Sequence, residues 1–320
     1  MNVDIPKVSV IIPIYKAEKY IERCAVSLFE QSLSAIEYIF VDDSSPDNSV
    51  GILESVLKRY PRRLGWVKLL RNQNNSGVGY ARARGMEAAT GEYIIHCDPD
   101  DWVDKNAYEY LYEAALSEEA DMVICGIVEE IEGNVVKRTP KVTDLRNEVL
   151  IHDLFTAKLH GSLCNKLISR KFIKLHDVKF AEGLNMCEDL IFCFQVLRGG
   201  AKVLAVDEYL YHYDVEINPN SISSKKTKAH ADQYFKLIGA LDRLFCDKKN
   251  VDYYNAFTTA AYWAFMHDVF SSKEYVRLHL PRIKALMKNE LGFKEKSATM
   301  LSALGLKAAI YRLYIKLRKN

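Results

Sequence analysis

The sequence predicts an α/β protein: a doubly wound, mostly parallel sheet with helices on both faces, followed by a helical extension. Three observations carry this. Short apolar runs alternate with amphipathic helical patterns through the N-terminal part of the chain, which is the signature of βαβ units. Those runs end in polar clusters, and in open α/β sheets the ligand crevice lies beyond the carboxyl ends of the strands. After SSKKTK no strand pattern remains, so the 320-residue chain divides near residue 225, into 1–225 and 226–320.

The elements follow in order. VSVIIPI precedes the helical pattern EKYIERCAVSLFEQ, and EYIFV precedes NSVGILESVLKRY. WVKLL precedes VGYARARGMEAA, and EYIIHC precedes NAYEYLYEAAL. DMVICGIVEE, the turn EGN and VVKR read as a hairpin. Between 147 and 213 come a helix, the loop HGSLCNK, a helix beginning near Glu188, and two short strands around KVLAV and YLYHY. KAHADQYFKLIGALDRLF, AFTTAAYWAFMHDVF and YVRLHLPRIKALMK carry helical spacing in the extension.

With 49% hydrophobic and 27% charged residues the chain reads as globular, with a sizeable core. A net charge of +2, with no basic stripe interleaved with aromatics in the first two thirds, argues against nucleic acid as a partner. The seven cysteines are scattered, and none forms a CxxC pair. That spacing fits buried thiols in a reducing compartment rather than a disulfide frame or a zinc site. MNVDIPKVSVIIPIY does not read as a signal peptide, and no segment reaches the ~18 apolar residues of a membrane span. The expected location is cytoplasmic.

The strand ends hold the chemistry. HCDPDDW closes a buried run with Asp98, Asp100 and Asp101. Like charges this close raise one another's pKa, so the cluster needs solvation or a bound cation. Pro13-Ile14-Tyr15 ends the first strand, Asp42-Asp43-Ser44-Ser45 the second, and Asn74-Asn75-Ser76-Gly77 precedes the third helix. Singly these are a strand terminator, helix N-caps and a turn. On one sheet edge they suit a nucleotide diphosphate: Tyr15 to stack on a base, Asp43 to accept from a uracil N–H, Gly77 to admit close backbone approach. Asp98 and Asp100 supply oxygen ligands for Mg²⁺ or Mn²⁺.

VSVIIPIYKAEKYI, EYIFVDDSSPDNS, NNSGVGYARARG, GEYIIHCDPDDW and AEGLNMCEDLIF resemble the successive signatures of the family 2 glycosyltransferases, inverting enzymes of GT-A fold. The resemblance covers roughly residues 1–225. It implies a nucleotide-sugar donor, UDP-linked in the first instance, a divalent metal, and a glycan or lipid-linked acceptor in surface-polysaccharide synthesis. Carried over by position, it implies Pro13, Tyr15 and Asp43 at the nucleobase, and Asn74 or Asn75, Gly77 and Arg82 near the nucleoside and diphosphate. Asp98 and Asp100 would form the metal-binding DxD pair, and Asp189, in the Glu188-Asp189 pair, would be the general base. His212 is either a third metal ligand or a packed histidine, and Lys166 and Ser221 fall in segments familiar from the family. Three departures stand out: Lys16 where the family often has Asn, Ser44 for Gly, and Ala83 for Asn.

A nucleotidyltransferase shares the architecture but expects a Gly-rich, lysine-containing loop after the first strand, where this chain has IYKAEKY. A binding protein with a degenerate site would not need Asp98, Asp100 and Asp189. A processive membrane synthase would carry QxxRW and membrane spans. LGLKAAIYRLYIKLRKN, basic and apolar without an acid, reads either as a helix that lies on an anionic membrane or as a packed terminal helix.

Overall fold

A computed structural model describes residues 5–131, 134–139, 141–155, 158–214 and 229–244. The chain divides into two compact units, Met1–Ser221 and Ile222–Asn320. In the second unit the described segment is helix α8 (Ala229–Leu244). The later helical patterns, the basic C-terminal segment and Ser221 lie outside the described residues.

Unit one is built on a nine-stranded sheet of order β3-β2-β1-β4-β8-β6-β9-β5, with β7 paired to β6. Its parallel block comprises β1 (Val8–Ile14), β2 (Ile36–Asp42), β3 (Val67–Arg71) and β4 (Tyr93–His96). β1 and β2 are buried along their whole length, as strands covered on both faces require. Beyond β4 the sheet becomes mixed. β8 (Lys166–Ser169) runs antiparallel to β4 and to β6 (Met122–Ile131), while β9 (Val203–Asp214) runs parallel to β6. KVLAV and YLYHY are therefore one twelve-residue strand, not two. Its register against β6 shifts between Ile124 and Ile127, which explains why the alternation breaks in sequence. β5 (Trp102–Val103) pairs with β9, and β7 (Asn134–Arg138) with β6.

Helices cover both faces. α1 (Ile21–Phe29) buries Ile21, Cys24, Ala25, Leu28 and Phe29, a helical stripe. With α2 (Ser49–Lys58) and α4 (Ala107–Ser117) it packs on the face holding Val10, Ile12, Tyr38 and Phe40. α3 (Val78–Ala88) takes the opposite face, where a Cβ on Gly85 would stand 2.4 Å from Ile11 Cγ2. Only glycine lets that helix lie so close to β1. α5 (Asn147–Phe155), α6 (Arg170–Leu175) and α7 (Glu188–Arg198) complete the unit, with Phe155 and Phe194 joining α5 to α7.

β1 lies between β2 and β4, so the strand order reverses there. That reversal opens the crevice at the carboxyl ends of β1, β2 and β4.

Candidate active site

Pro13 is buried in β1 opposite Val41, and Tyr15 just beyond is 42% exposed, with the Lys16 ammonium 5.3 Å from its ring centroid. Lys16 and Ser44 both have left-handed backbones, φ 54° and 57°. These are two of the three departures from the family pattern, and they occupy the conformation that Asn and Gly tolerate best.

Asp43 is buried and organises the loop after β3. Its carboxylate accepts from Asn72 Nδ2 at 2.7 Å, from the Ser76 amide at 3.0 Å and from the Gly77 amide at 2.7 Å. Asn74 and Asn75 are exposed on that loop. Gly77 (φ 92°) precedes α3, and Asn185 docks beside it, its Oδ1 accepting from the Gly79 amide at 3.0 Å.

The three aspartates after β4 separate into two kinds. Asp101 is buried, accepts from the Tyr211 hydroxyl and from the Asp214 amide, and is a structural carboxylate of the turn. Burial, then Asp100 and Asp98, push it well above the usual carboxylate range. Asp98 and Asp100 are half-buried. Asp98 Oδ1 accepts from Arg82 Nη2 at 2.7 Å, and its Oδ2 from the Cys164 thiol at 3.4 Å.

Arg82 is the centre of the site. From α3 its buried guanidinium pairs with Asp98 through one nitrogen and with Glu188 through another. Its Nε is buried with no hydrogen-bond partner among the described residues. The bridge brings the first turn of α7 to the end of β4, and Asp189 follows Glu188 there, half-buried. Burial raises Glu188 to about 7 and also lifts Asp189, with Arg82 opposing both rises. A carboxylate nearer neutrality is a better proton acceptor.

His212 lies across from Trp102 on β5 and stacks on it at 5.2 Å. Its Nδ1 is 2.6 Å from Glu130 and its Nε2 2.9 Å from Asp104. Arg23, 3.8 Å over the Trp102 ring, donates to the Asp100 carbonyl and pairs with Asp214 at 2.9 Å.

Among the described residues no three His, Cys, Asp or Glu side chains form a ready-made metal cage. The acidic turn nevertheless suits a cation that keeps water and phosphate ligands and takes one or two carboxylates from the protein. Asp100 and Asp98 crowd Asp101, and beside them Asp214 Oδ1 is buried without a partner among the described residues. Arg82 and Arg23 meet part of that negative charge, through Asp98 and Asp214.

Sequence reasoning missed the part of Glu188 in the arginine bridge, the docking of Asn185, the Cys164 contact and the burial of Lys166. The sequence places HGSLCNK in one loop and allows a solvated Lys166; the residue instead opens β8 and is 1% exposed. All four depend on partners distant in sequence, and no local pattern marks them.

A GT-A-like sheet with an acidic turn beyond β4 and a carboxylate pair at the start of α7 has the architecture of a glycosyltransferase. The chain belongs to glycosyl transferase family 2, whose model matches residues 9–176. It is 35% identical over 219 residues to the putative glycosyltransferase EpsH of Bacillus subtilis, covering 67% of this chain and 62% of EpsH. Its fold matches Staphylococcus aureus TarS 1-349 in complex with UDP, with TM-score 0.65 and 20% identity, over 98% of this chain and 91% of that one. It also matches the mannosyltransferase PcManGT from Pyrobaculum calidifontis in complex with GDP-Man and Mn²⁺, with TM-score 0.55 and 16% identity, over 98% and 89%.

Proposed function

We propose that this protein is a metal-dependent inverting glycosyltransferase that moves a sugar from a UDP-sugar to a glycan or lipid-linked acceptor in cell-surface polysaccharide synthesis. The observation that carries the reading is the Arg82 bridge, which joins Asp98 at the end of β4 to Glu188 on α7 and so sets Asp189 beside the acidic turn. The 1–225 segment is the catalytic region in this reading.

Pro13 and Tyr15 form the floor and stacking face for the base. Asp43 serves the base edge and, through its bonds to Ser76 and Gly77, holds the Asn74-Asn75 loop for the ribose and diphosphate. Arg82, paired with Asp98, brings positive charge to the diphosphate end of the donor. Asp98 and Asp100 would hold Mn²⁺ or Mg²⁺, which supplies charge stabilisation to the departing diphosphate. Asp189 accepts the proton of the acceptor hydroxyl as that oxygen bonds to the anomeric carbon and the carbon–diphosphate bond breaks. His212 is assigned here as a clamp between Glu130 and Asp104, because serving as a ligand would cost it one of those two contacts.

A UDP-bound and a GDP-Man- and Mn²⁺-bound structure among the fold matches support a nucleotide-sugar and a divalent ion. No helix among the described residues is long and apolar enough to cross a membrane. The reading places the enzyme at the cytoplasmic face, with the basic C-terminal segment as a peripheral membrane contact.

Asp189→Asn tests the mechanism. Transfer from a panel of UDP-sugars should fall about 10²–10⁴-fold, with UDP binding and unfolding midpoint retained, and chelation by EDTA should silence the wild type. Full turnover by the variant rejects Asp189 as base, and full activity in EDTA rejects the metal.

A further inference from the structure

Lys166 is a buried cation with a full set of partners. Its three ammonium hydrogens meet the His160 carbonyl at 2.7 Å, the Ser162 carbonyl at 2.6 Å and Asn165 Oδ1 at 2.8 Å. All three acceptors are neutral and all lie in the segment 160–165. Burial draws the lysine below its ordinary range. Burying an ammonium is costly unless every hydrogen is bonded, and here all three are, each to the same short segment.

The pinned segment spans the two halves of the chemistry. At one end the Cys164 thiol touches Asp98, and Asn165 Nδ2 donates to the Cys125 carbonyl on β6 at 2.6 Å. At the other, the Gly161 carbonyl accepts from Cys193 of α7 at 3.4 Å, and a Cβ on Gly161 would stand 3.5 Å from Leu190 Cβ, the residue after Asp189. In an inverting displacement the leaving diphosphate, the anomeric carbon and the attacking oxygen are roughly in line. With Asp98 at the metal and Asp189 as base, the transferred sugar would lie between them, where this segment runs. Its outer part is polar, with His160 exposed and Ser162 half-buried, while Leu163 and Cys164 are buried.

We propose that Lys166 is a positioning residue: by pinning segment 160–165 between Asp98 and α7 it fixes the wall of the subsite for the transferred sugar. This rests on the glycosyltransferase reading above. The base end of the donor, served by Tyr15 and Asp43, shares none of these contacts.

The test compares wild type, Lys166→Met and Lys166→Arg by equilibrium binding of UDP, UDP-glucose and UDP-N-acetylglucosamine with Mn²⁺, alongside turnover. In Lys166→Met the affinity advantage of the preferred UDP-sugar over UDP should collapse while UDP affinity holds, and kcat/KM should fall about 10²-fold. Lys166→Arg, which keeps charge and donors, should recover part of both. A merely structural lysine would lower the unfolding midpoint and leave the UDP-sugar to UDP ratio of the folded protein unchanged, which overturns the proposal. Should Lys166→Met not fold, the ratio in Lys166→Arg decides in the same way, and failure of both variants to fold also overturns it, making Lys166 a folding residue. A wild type that binds none of these nucleotides would instead sink the UDP-sugar reading on which the proposal rests.

Discussion

Replacing Arg82 by Met removes the cation that joins Asp98 to Glu188 and leaves Glu188, only 4% exposed, without its partner. Breaking a buried ion pair on one side costs about 3–5 kcal/mol, because the remaining charge stays desolvated. Glu188 can escape that penalty by taking a proton. Burial is the main cause of its raised pKa and Arg82 is what opposes the rise, so in the variant the folded-state pKa climbs further. A carboxyl whose folded pKa exceeds its unfolded value binds more protons when folded. Stability then declines as pH rises from the unfolded value near 4.3 up to the folded one, by up to about 1.4 kcal/mol per pH unit. In the wild type this decline ends near the folded Glu188 value of about 7, and in the variant it continues above it. Urea unfolding at pH 5.5, 7 and 8.5 should therefore show the deficit smallest in acid and widening with pH. A deficit below ~1 kcal/mol, the worth of an exposed pair, or one that does not change with pH, would refute the account of Arg82 as a buried electrostatic bridge.

Two further outcomes follow from the geometry. Ser44 is exposed with φ 57°, so Ser44→Gly trades a left-handed penalty of about 1–2 kcal/mol for a glycine entropy cost of about 0.5–1 kcal/mol. The unfolding free energy should rise by about 0.5–1 kcal/mol, and a fall would show that the hydroxyl has a role of its own. His212→Ala removes contacts to Glu130 and Asp104 and should lower stability by about 1–3 kcal/mol with Mn²⁺ affinity unchanged in titration. Weakened Mn²⁺ binding with activity rescued by excess metal would restore the histidine as a ligand.

The parallel block and its helices were legible in the sequence because the information is local. Val8–Ile14 and Ile36–Asp42 are short, largely apolar runs, and α1 repeats its apolar residues at helical spacing, so each element is marked by its own residues. The strand-end groups were legible for a related reason: once βαβ alternation is established, chain direction places Tyr15, Asp43 and Asp98 on one edge. Which of the three clustered aspartates turns inward was not legible, since Asp101 is held by Tyr211 from a strand over a hundred residues later. Nor was the mixed half of the sheet, where β8 is four residues long and β9 changes register, so neither repeats long enough to announce itself. Sequence by itself determined the strand-and-helix order of the parallel block and the identities of the acidic groups. Tertiary structure decided the Arg82 bridge to Asp98 and Glu188 and the lysine pin beneath segment 160–165, because a buried charge is stabilised only by the partners that folding brings to it.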